Sequence, residues 1–317
     1  MNKMIDLYVS HMNNEGKSKT TIINTINFCE EFHRIANKNV QEITVKDIDY
    51  YLDNLTERGN IQSTKRTKLA YVNNLMTFLE DRRIIDYNPC KTFKVKAPKA
   101  KIKTIETSKV KAMVDLAKKD YNSNVDLDAY PIMITLYSSG ARIDKELMNL
   151  TEDDVLTDGI VVNGKGDKER FIPLPKETVK LLKDYIKKTR NRINTMSETE
   201  FSNKGGRNFK DYSTYRAKVD EVKDNRYVFV TEMGTKRTNN TVLSKLRKYA
   251  KRANVDFSEI SAHKWRHTFA TNLLDQDVPL DVISKLLGHE SIVTTQIYAE
   301  TRDERVKNSL KNVNFNL

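Results

Sequence analysis

The stretch YNPCKTFKVKAPKAKIKT, residues 87–104, constrains the fold more than any other feature of this sequence. It contains two prolines and many lysines and has no helical periodicity, which is typical of an exposed basic linker. The chain has 317 residues, so it is long enough for a domain on either side of the linker. We expect a first domain over residues 1–96, a linker over 97–104 and a second domain over 105–317.

The first domain is predicted to be helical. Apolar residues follow Ser18 and Ser63 at the spacing of one helical face, and these two serines are the predicted N-caps. Cys29 lies on one of the apolar faces and is expected in the core. Both helix starts carry cations, and the free N–H groups and dipole of a helix N-terminus favour phosphate. These cations are Lys17, Lys19, Lys65, Arg66 and Lys68.

The second domain mixes helices with short strands. YPIMITLYSSG predicts a buried helix that ends at Gly140, and DDVLTDGIVVNGKGDKERFIPLP predicts a small antiparallel sheet because turn sequences separate its β-branched runs. We expect a helix near 175–190, a polar surface excursion over 191–226, a strand at 227–231 and helices from 238 onward. The predicted fold class is therefore mainly α with a small antiparallel β-sheet (α+β).

Charge and cysteine content narrow the functional classes. The formal charge is +12 and the pI about 9.4, a balance that favours a polyanion such as nucleic acid as partner. Two cysteines, Cys29 and Cys90, make neither a disulfide framework nor a cysteine-based zinc site. No stretch has the length and apolarity of a membrane span, so we expect a soluble protein of the cytoplasm with no membrane contact.

SAHKWRHTFATNLLD, residues 261–275, contains two of the chain's five histidines, His263 and His267, together with Arg266. His263 and His267 have the i, i+4 spacing of a zinc-binding helix, but Lys264 and Arg266 lie between them and would oppose a dication, so a metal site is disfavoured. A phosphate site fits better, because His263 and Arg266 at i, i+3 lie on one helical face and can donate to one anion.

A second cluster follows in LLGHESIVTTQIYAE, with His289 and, nine residues later, Tyr298. A tyrosine hydroxyl has a pKa of about 10 and becomes a nucleophile when neighbouring cations stabilise the phenolate. Attack on a phosphodiester would leave a covalent phosphotyrosine and needs no metal or other cofactor, provided cationic side chains stabilise the transition state.

Four motifs, SSGARI, GKGDKERFIPLP, SAHKWRHTFATNLL and LLGHESIVTTQIYAET, resemble in content and order those of the tyrosine recombinases, the phage integrase family. The resemblance implies a two-domain, C-shaped clamp on double-stranded DNA. It implies that Arg142 and Arg266 bind the scissile phosphate, that Lys165 is the general acid for the leaving 5′-oxygen, and that His263 assists proton transfer. His289 would hydrogen-bond the phosphate and Tyr298 would attack it.

The same resemblance extends the expected DNA contacts. One lysine close to Lys165, Lys168, leaves the identity of the general acid open. The terminal pattern Val306, Leu310 and Val313 suggests a helix that docks on a neighbouring protomer, giving a dimer or tetramer on DNA, with accessory proteins a further option. Additional DNA contacts are expected in the linker and in the basic helix after 238, namely Lys99, Lys101, Lys245, Arg247 and Lys248.

The match departs from the family after Arg142. The family usually carries an acid three residues after this arginine, whereas RIDKEL has Lys145 there, with acids at Asp144 and Glu146. One inserted residue would rotate a following helix by about 100°. Two functions therefore stay open. One is a site-specific recombinase, and the other is a DNA-binding regulator of the phage-repressor type that keeps the fold but does not cut.

Overall fold

A computed structural model shows two compact units, Met1–Lys101 and Ile102–Leu317. Each unit has its own principal hydrophobic core. The structure describes residues 2–96, 103–164, 168–195, 197–203, 211–217, 226–231, 234–289 and 295.

The first unit consists of four α-helices and one 3₁₀ turn. The α-helices are α1 (Asn2–Asn14), α2 (Lys19–Ala36), α3 (Val45–Glu57) and α4 (Gln62–Asp81). The 3₁₀ turn is Val40–Glu42. The apolar face of α2 packs on α1, α3 and α4, and Cys29 and Phe32 are fully buried there, as the apolar periodicity predicts.

The two helix starts of this unit differ in how they are capped. Ser18 is the N-cap of α2, and its side chain accepts from the backbone N–H of Thr21, which confirms that prediction. The prediction of Ser63 as an N-cap is wrong, because α4 begins at Gln62 with Ile61 as N-cap. Ile61 has no side-chain acceptor, so nothing in the local sequence marks this helix start.

The second unit is helical around a two-stranded sheet. Its helices before the sheet are α5 (Thr107–Asn122), α6 (Ala129–Ser139) and the 3₁₀ turn Leu147–Asn149. Strands β1 (Gly159–Asn163) and β2 (Glu169–Pro173) pair antiparallel, with Val161 opposite Phe171. After the sheet come α7 (Lys176–Thr195), α8 (Glu198–Asn203), α9 (Asn239–Arg252), the 3₁₀ turn Phe257–Glu259, α10 (Ala262–Asp275) and α11 (Leu280–Leu287).

The core of this unit surrounds α6, the most apolar of its helices. Helix α6 packs on α5, α7 and α10 and ends, as predicted, at Gly140, which has a φ of +61°. A Cβ at Gly140 would overlap the ring of Phe269 on α10. Glycine is needed here for two reasons: the backbone is left-handed, and a side chain would clash with the helix that packs against this position. The predicted fold class, mainly α with a small antiparallel sheet, is confirmed.

Two local predictions for this unit are corrected. Residues 227–231 form no strand; only Tyr227 and Val230 make isolated β-bridges, with Thr151 and Lys236. The excursion 191–226 is not merely polar surface. In its described part, α8 and helical residues 212–217 enclose a small aromatic cluster in which Phe201 stacks on Tyr215.

Candidate active site

The carboxylate of Glu146 lies at the centre of a cluster of arginines, with its side chain completely buried. Its Oε1 accepts from Nη1 of Arg142 at 2.7 Å, and its Oε2 accepts from the backbone N–H of Arg142 at 2.7 Å. Arg170 donates through both terminal nitrogens, at 2.8 Å to each oxygen. Nη1 of Arg266 lies 3.9 Å from Oε2. One carboxylate thus orients Arg142 and Arg170 and offsets part of the repulsion among the three arginines.

The charge state of Glu146 follows from these contacts. Burial by itself raises the pKa of a carboxyl group, because it penalises the charged form. Here the hydrogen bonds from Arg170 and from the backbone of Arg142, together with the charges of Arg170 and Arg266, outweigh burial and hold the pKa of Glu146 below its usual value. Glu146 is therefore ionised at neutral pH.

The segment after Arg142 forms a widened turn. The N–H groups of Leu147 and Met148 donate to the carbonyls of Arg142 and Ile143, at 2.9 and 3.0 Å, which are i to i−5 bonds of the π type. Such a widened turn accommodates one extra residue, and it often occurs at functional sites. The expectation of a following helix rotated relative to Arg142 is wrong. A turn and the 3₁₀ helix Leu147–Asn149 follow instead, and Glu146 folds back under the arginine.

Arg266 is held from a different direction, by backbone carbonyls. It lies on the buried face of α10, a helix capped by Ser261 and anchored by the fully buried Trp265. Its Nη1 donates to the carbonyl oxygen of Gly140 at 2.9 Å, and its Nη2 donates to that of Leu287. Arg266 therefore links the end of α6 to the end of α11, and its guanidinium is pre-organised before any ligand arrives.

The two histidines of α10 differ in exposure. His263 is exposed one turn before Arg266, whereas His267 is half-buried, and their ring centroids are 6.4 Å apart. Burial lowers the pKa of His267, and the neighbouring charges of His263 and Arg266 lower it further. In the described part of the chain, no group of three or more His, Cys, Asp or Glu side chains is placed to hold a metal ion.

His289 follows the left-handed C-cap Gly288 at the end of α11. Its Nδ1 lies 2.7 Å from Oγ1 of Thr295. Burial lowers the pKa of His289 to about 4, with further contributions from the charges of Arg266, Arg142, Arg170 and His267. The imidazole is therefore neutral at pH 7. A hydrogen bond to Thr295 through one ring nitrogen fixes how the other ring nitrogen can meet a substrate.

The β-hairpin supplies the lysine candidates for proton transfer. Gly164 donates its N–H to the carbonyl of Lys168 at 2.9 Å, which extends the pairing of the two strands beyond Asn163 and Glu169. Lys168 is exposed at this end of the pairing. Lys165 and the predicted nucleophile Tyr298 lie outside the described residues, as do Lys99 and Lys101 of the linker.

Some of the cations at the helix starts of the first unit are exposed to solvent, and others are bound by side chains of the same unit. Lys17, Lys19 and Arg66 are exposed. Nζ of Lys65 donates to Oγ1 of Thr56 at 2.9 Å. The prediction for Lys68 is corrected. Its side chain is 13% exposed, and its Nζ lies 2.8 Å from the carboxylate of Glu31. Lys68 therefore supports the packing of α4 on α2 rather than a free phosphate-binding surface.

A similar correction applies to the basic helix α9. Nζ of Lys245 lies 2.8 Å from Oδ1 of Asp126 and also contacts Asp128, and both aspartates are buried. Asp128 also pairs with Arg237, so withdrawing Lys245 would deprive Asp126 of the ammonium that pairs with it; Lys245 is therefore held within the unit rather than offered to DNA. Arg247 and Lys248 on the same helix are exposed and keep their predicted role as candidates.

Sequence reasoning named Glu146 only as a displaced acid and missed Arg170 altogether. Arg170 lies in the KER of GKGDKER, a motif that was assigned for its lysine. A cation at an alternate position of a strand is ordinarily a solvated side chain. Nothing in the local sequence shows that Arg170 reaches a carboxylate 24 positions away.

Arg142 and Arg170 bind one buried carboxylate. The neutral His289 lies within range of their charges, and the exposed His263 precedes Arg266 by one helical turn. Such a site is suited to a phosphodiester. Comparison with known proteins identifies the class. Residues 103–305, more than half of the chain, match the model of the phage integrase family. The chain belongs to this family, the tyrosine recombinases, whose members cleave and rejoin DNA strands.

Named relatives agree with this assignment. The chain is 28% identical to tyrosine recombinase XerD of Vibrio vulnificus (strain YJ016) over 268 residues, which cover 84% of this chain and 78% of the relative. It is also 28% identical to a tyrosine recombinase of Agathobacter rectalis over 306 residues, covering 93% of this chain and 90% of the relative. The alternative of a silent regulator finds no support in these relatives.

Solved structures show the same fold. A lambda integrase dimer bound to a COC′ core site covers 94% of each chain with a TM-score of 0.67 at 14% identity. The XerH site-specific recombinase bound to palindromic difH substrate, a post-cleavage complex, has a TM-score of 0.65 at 17% identity and covers 88% of this chain and 76% of that one. No helix in the described ranges is long and apolar enough to cross a membrane.

Proposed function

We propose that this protein is a site-specific DNA recombinase that cleaves and rejoins strands through a 3′-phosphotyrosyl intermediate on Tyr298. The observation that carries the proposal is the convergence of Arg142 and Arg266 on the buried carboxylate of Glu146. Two guanidinium groups oriented in advance are what a phosphodiester needs as negative charge grows on its non-bridging oxygens.

The reaction would proceed by in-line displacement. Oη of Tyr298 attacks the scissile phosphorus, the bond from phosphorus to the 5′-oxygen breaks, and a 3′-phosphotyrosyl bond forms. The leaving 5′-oxygen takes a proton from Lys165, with Lys168 as the alternative donor. Attack by a 5′-hydroxyl of the partner strand reverses the sequence and releases Tyr298. The reaction balances with no cofactor.

The two histidines would play separate parts. His289 is neutral at pH 7, because burial and the surrounding arginines lower its pKa to about 4, so it offers one hydrogen bond to the phosphate without adding charge. His263 is exposed on the surface of α10 and assists proton transfer at Tyr298. The arginines would then supply the positive charge, His289 would orient the phosphate through a hydrogen bond, and His263 would assist proton transfer.

DNA binding would involve both units. In the first predicted domain, residues 1–96, the exposed Lys17, Lys19 and Arg66 would contact the DNA backbone or major groove at the starts of α2 and α4, joined by Lys65. In the second predicted domain, residues 105–317, Arg247 and Lys248 would do so. The linker 97–104 would add Lys99 and Lys101. Much of the affinity would come from phosphate contacts and would fall steeply with salt.

Assembly on DNA is the remaining part of the proposal. The terminal pattern of Val306, Leu310 and Val313 would dock on a neighbouring protomer to give a dimer or tetramer, with accessory proteins as a further option. The lambda integrase neighbour is a dimer on its DNA site, which supports this arrangement. The protein would act in the cytoplasm of a bacterial or phage-host cell.

A nicked substrate tests the proposed function. Genomic fragments bound by the purified protein provide a site, and a nick placed beside the cleavage position lets a short strand diffuse away and traps the covalent intermediate. On a denaturing gel, we expect a shifted band with wild type and none with Tyr298→Phe at equal DNA affinity. No shifted band with wild type on any bound site would refute the proposal.

A further inference from the structure

Arg170, on strand β2, contacts two segments of the candidate site, the turn that carries Glu146 and the end of α11. Its side chain is 13% exposed. Its Nη1 and Nη2 form a two-pronged pair with Glu146 at 2.8 Å each, and its Nε donates to the carbonyl of Leu286 at 2.8 Å. All three nitrogens of the guanidinium thus have a partner, on two different chain segments.

The first of these segments carries Arg142. Glu146 receives the fork of Arg170 on one side and Nη1 and the backbone N–H of Arg142 on the other. The position of Arg142 therefore depends on how Arg170 holds the carboxylate. Without Arg170 the carboxylate would keep only the contacts of Arg142 and the longer approach of Arg266.

The second segment carries His289. Leu286 lies in the last turn of α11, where backbone carbonyls have no partner within the helix, and a cation there is favoured by the helix dipole. The next carbonyl, of Leu287, accepts from Arg266. Two arginines thus hold the end of the helix that leads through Gly288 to His289.

Gly288 makes room for this contact. A Cβ at Gly288 would lie 2.9 Å from Nη1 and 3.1 Å from Cδ of Arg170. The φ of Gly288 is also +63°, so the position requires a left-handed residue and an absent side chain. The arginine and the glycine fit each other, and β2 packs directly on α11.

The third element is the hairpin to which Arg170 belongs. Its two strands pair from Gly159 with Pro173 to Asn163 with Glu169, and the bond from Gly164 to Lys168 extends this pairing. Arg170 is the second residue of β2, so its side chain anchors the hairpin close to this end. In the sequence, the proposed general acid Lys165 lies between Gly164 and Lys168.

From these contacts we infer that Arg170 is a positioning residue that holds the phosphate-binding Arg142, the end of α11 before His289 and the lysine-bearing hairpin in one fixed arrangement. The inference rests on the proposed strand-cleavage function and deepens it. Arg170 acts through Glu146 and Leu286, so it is expected to affect the rate of cleavage and not the affinity for DNA. A lysine cannot replace it, because one ammonium group cannot reproduce the fork and the Nε contact together.

Arg190 provides a matched control. Its Nε donates to Glu152 at 2.7 Å and its Nη2 donates to the carbonyl of Tyr227, with 19% of the side chain exposed. It therefore joins a carboxylate to a backbone carbonyl as Arg170 does, at similar burial, but contacts neither the arginine cluster nor α11. Arg190→Lys removes the same chemistry from a place with no proposed role in cleavage.

The experiment compares Arg170→Lys with Arg190→Lys on the nicked site. At saturating protein we expect single-turnover cleavage by Arg170→Lys to fall by about 10- to 100-fold, the usual cost of displaced reacting groups. We expect the Kd for the site to change by less than about twofold and cleavage by Arg190→Lys to stay within about twofold of wild type. A wild-type cleavage rate in Arg170→Lys, or an equal loss in both variants, would overturn the inference.

A second measurement does not depend on activity. The chain has five histidines, so His289 can be followed by NMR titration. Arg170→Met removes a positive charge close to His289 and should raise its pKa, whereas Arg190→Met should not. An unchanged His289 pKa in Arg170→Met would contradict the assigned position of Arg170. A wild type that forms no adduct would refute the proposed function, an outcome distinct from either result on Arg170.

Discussion

Replacing Glu146 with glutamine tests the electrostatic centre of the site. The carboxylate accepts four hydrogen bonds, two at each oxygen, from Arg142 and Arg170. Glutamine keeps the shape but has one acceptor oxygen, so its NH₂ group would face two donors. Three arginines would also lose their shared counter-charge. Removing one partner of a buried ion pair costs about 3–5 kcal/mol.

We take the lower end, about 3 kcal/mol, because Arg142 is partly exposed and water can replace part of its contact. For a unit of this size, such a loss lowers the melting temperature by about 6–12 °C. Cleavage of the nicked site should fall by about 100-fold, because Arg142 loses its orienting partner. Affinity for DNA should persist, since the arginines themselves remain.

The effect of Glu146→Gln on stability should depend on pH. The folded-state pKa of Glu146 lies below its usual value, since the hydrogen bonds and charges of the arginines outweigh burial. The contribution of the carboxylate is therefore complete above the unfolded pKa of about 4.3 and is lost as pH falls through the folded value. The difference between wild type and variant should be constant from pH 8 to about 5 and shrink at lower pH.

Glu152→Gln is the control, because Glu152 pairs with Arg190 at 2.7 Å but is 22% exposed and lies outside the arginine cluster. Partial exposure should keep its cost to about 1 kcal/mol. If Glu146→Gln unfolded within about 1 kcal/mol of wild type and cleaved at the wild-type rate, the proposed role of the carboxylate would be refuted.

Two further substitutions test other parts of the structure. Lys245→Met should destabilise the protein by about 3 kcal/mol, measured by urea unfolding, because it removes the ammonium that pairs with buried Asp126 and that shares buried Asp128 with Arg237, while DNA affinity stays unchanged. Lys248→Met should instead leave stability unchanged and lower the salt slope of DNA binding by about one; the reverse pattern would contradict the assignment. Gly140→Ala should lower the free energy of unfolding by more than about 1 kcal/mol, the cost of a left-handed backbone alone, because its Cβ would also overlap Phe269. The melting temperature should fall accordingly, and Phe269→Leu should partly restore it.

Local chemistry explains which parts of the fold were predictable from the sequence. Ser18 caps α2 with its own hydroxyl, and Gly140 ends α6 in a left-handed conformation. Each boundary is therefore determined by a single residue that can be recognised in the sequence. The start of α4 lacks such a signal because Ile61 makes no side-chain cap. A short apolar run such as 227–231 resembles a strand, but whether it pairs depends on which segment lies beside it.

Long-range pairing explains what the sequence could not predict about the site. The residue types of the candidate site were visible from motif order, yet their partners were not. Lys245 pairs with Asp126 across 119 positions, and Lys68 pairs with Glu31 across 37, so both side chains are engaged within their units where the sequence indicated free cations for DNA. Arg170 was overlooked for the same reason. The displaced acid after Arg142 is visible in the sequence, but the widened turn that brings Glu146 under the arginine is not.

The most direct test of the central claim is to identify the residue that becomes linked to DNA. The covalent product of wild type on a nicked site would be digested with nuclease and protease, and the modified peptide sequenced by mass spectrometry. The proposed mechanism predicts a peptide from LLGHESIVTTQIYAET that carries a 3′-linked nucleotide on Tyr298. A nucleotide on any other residue, or a modified peptide that persists in Tyr298→Phe, would contradict it.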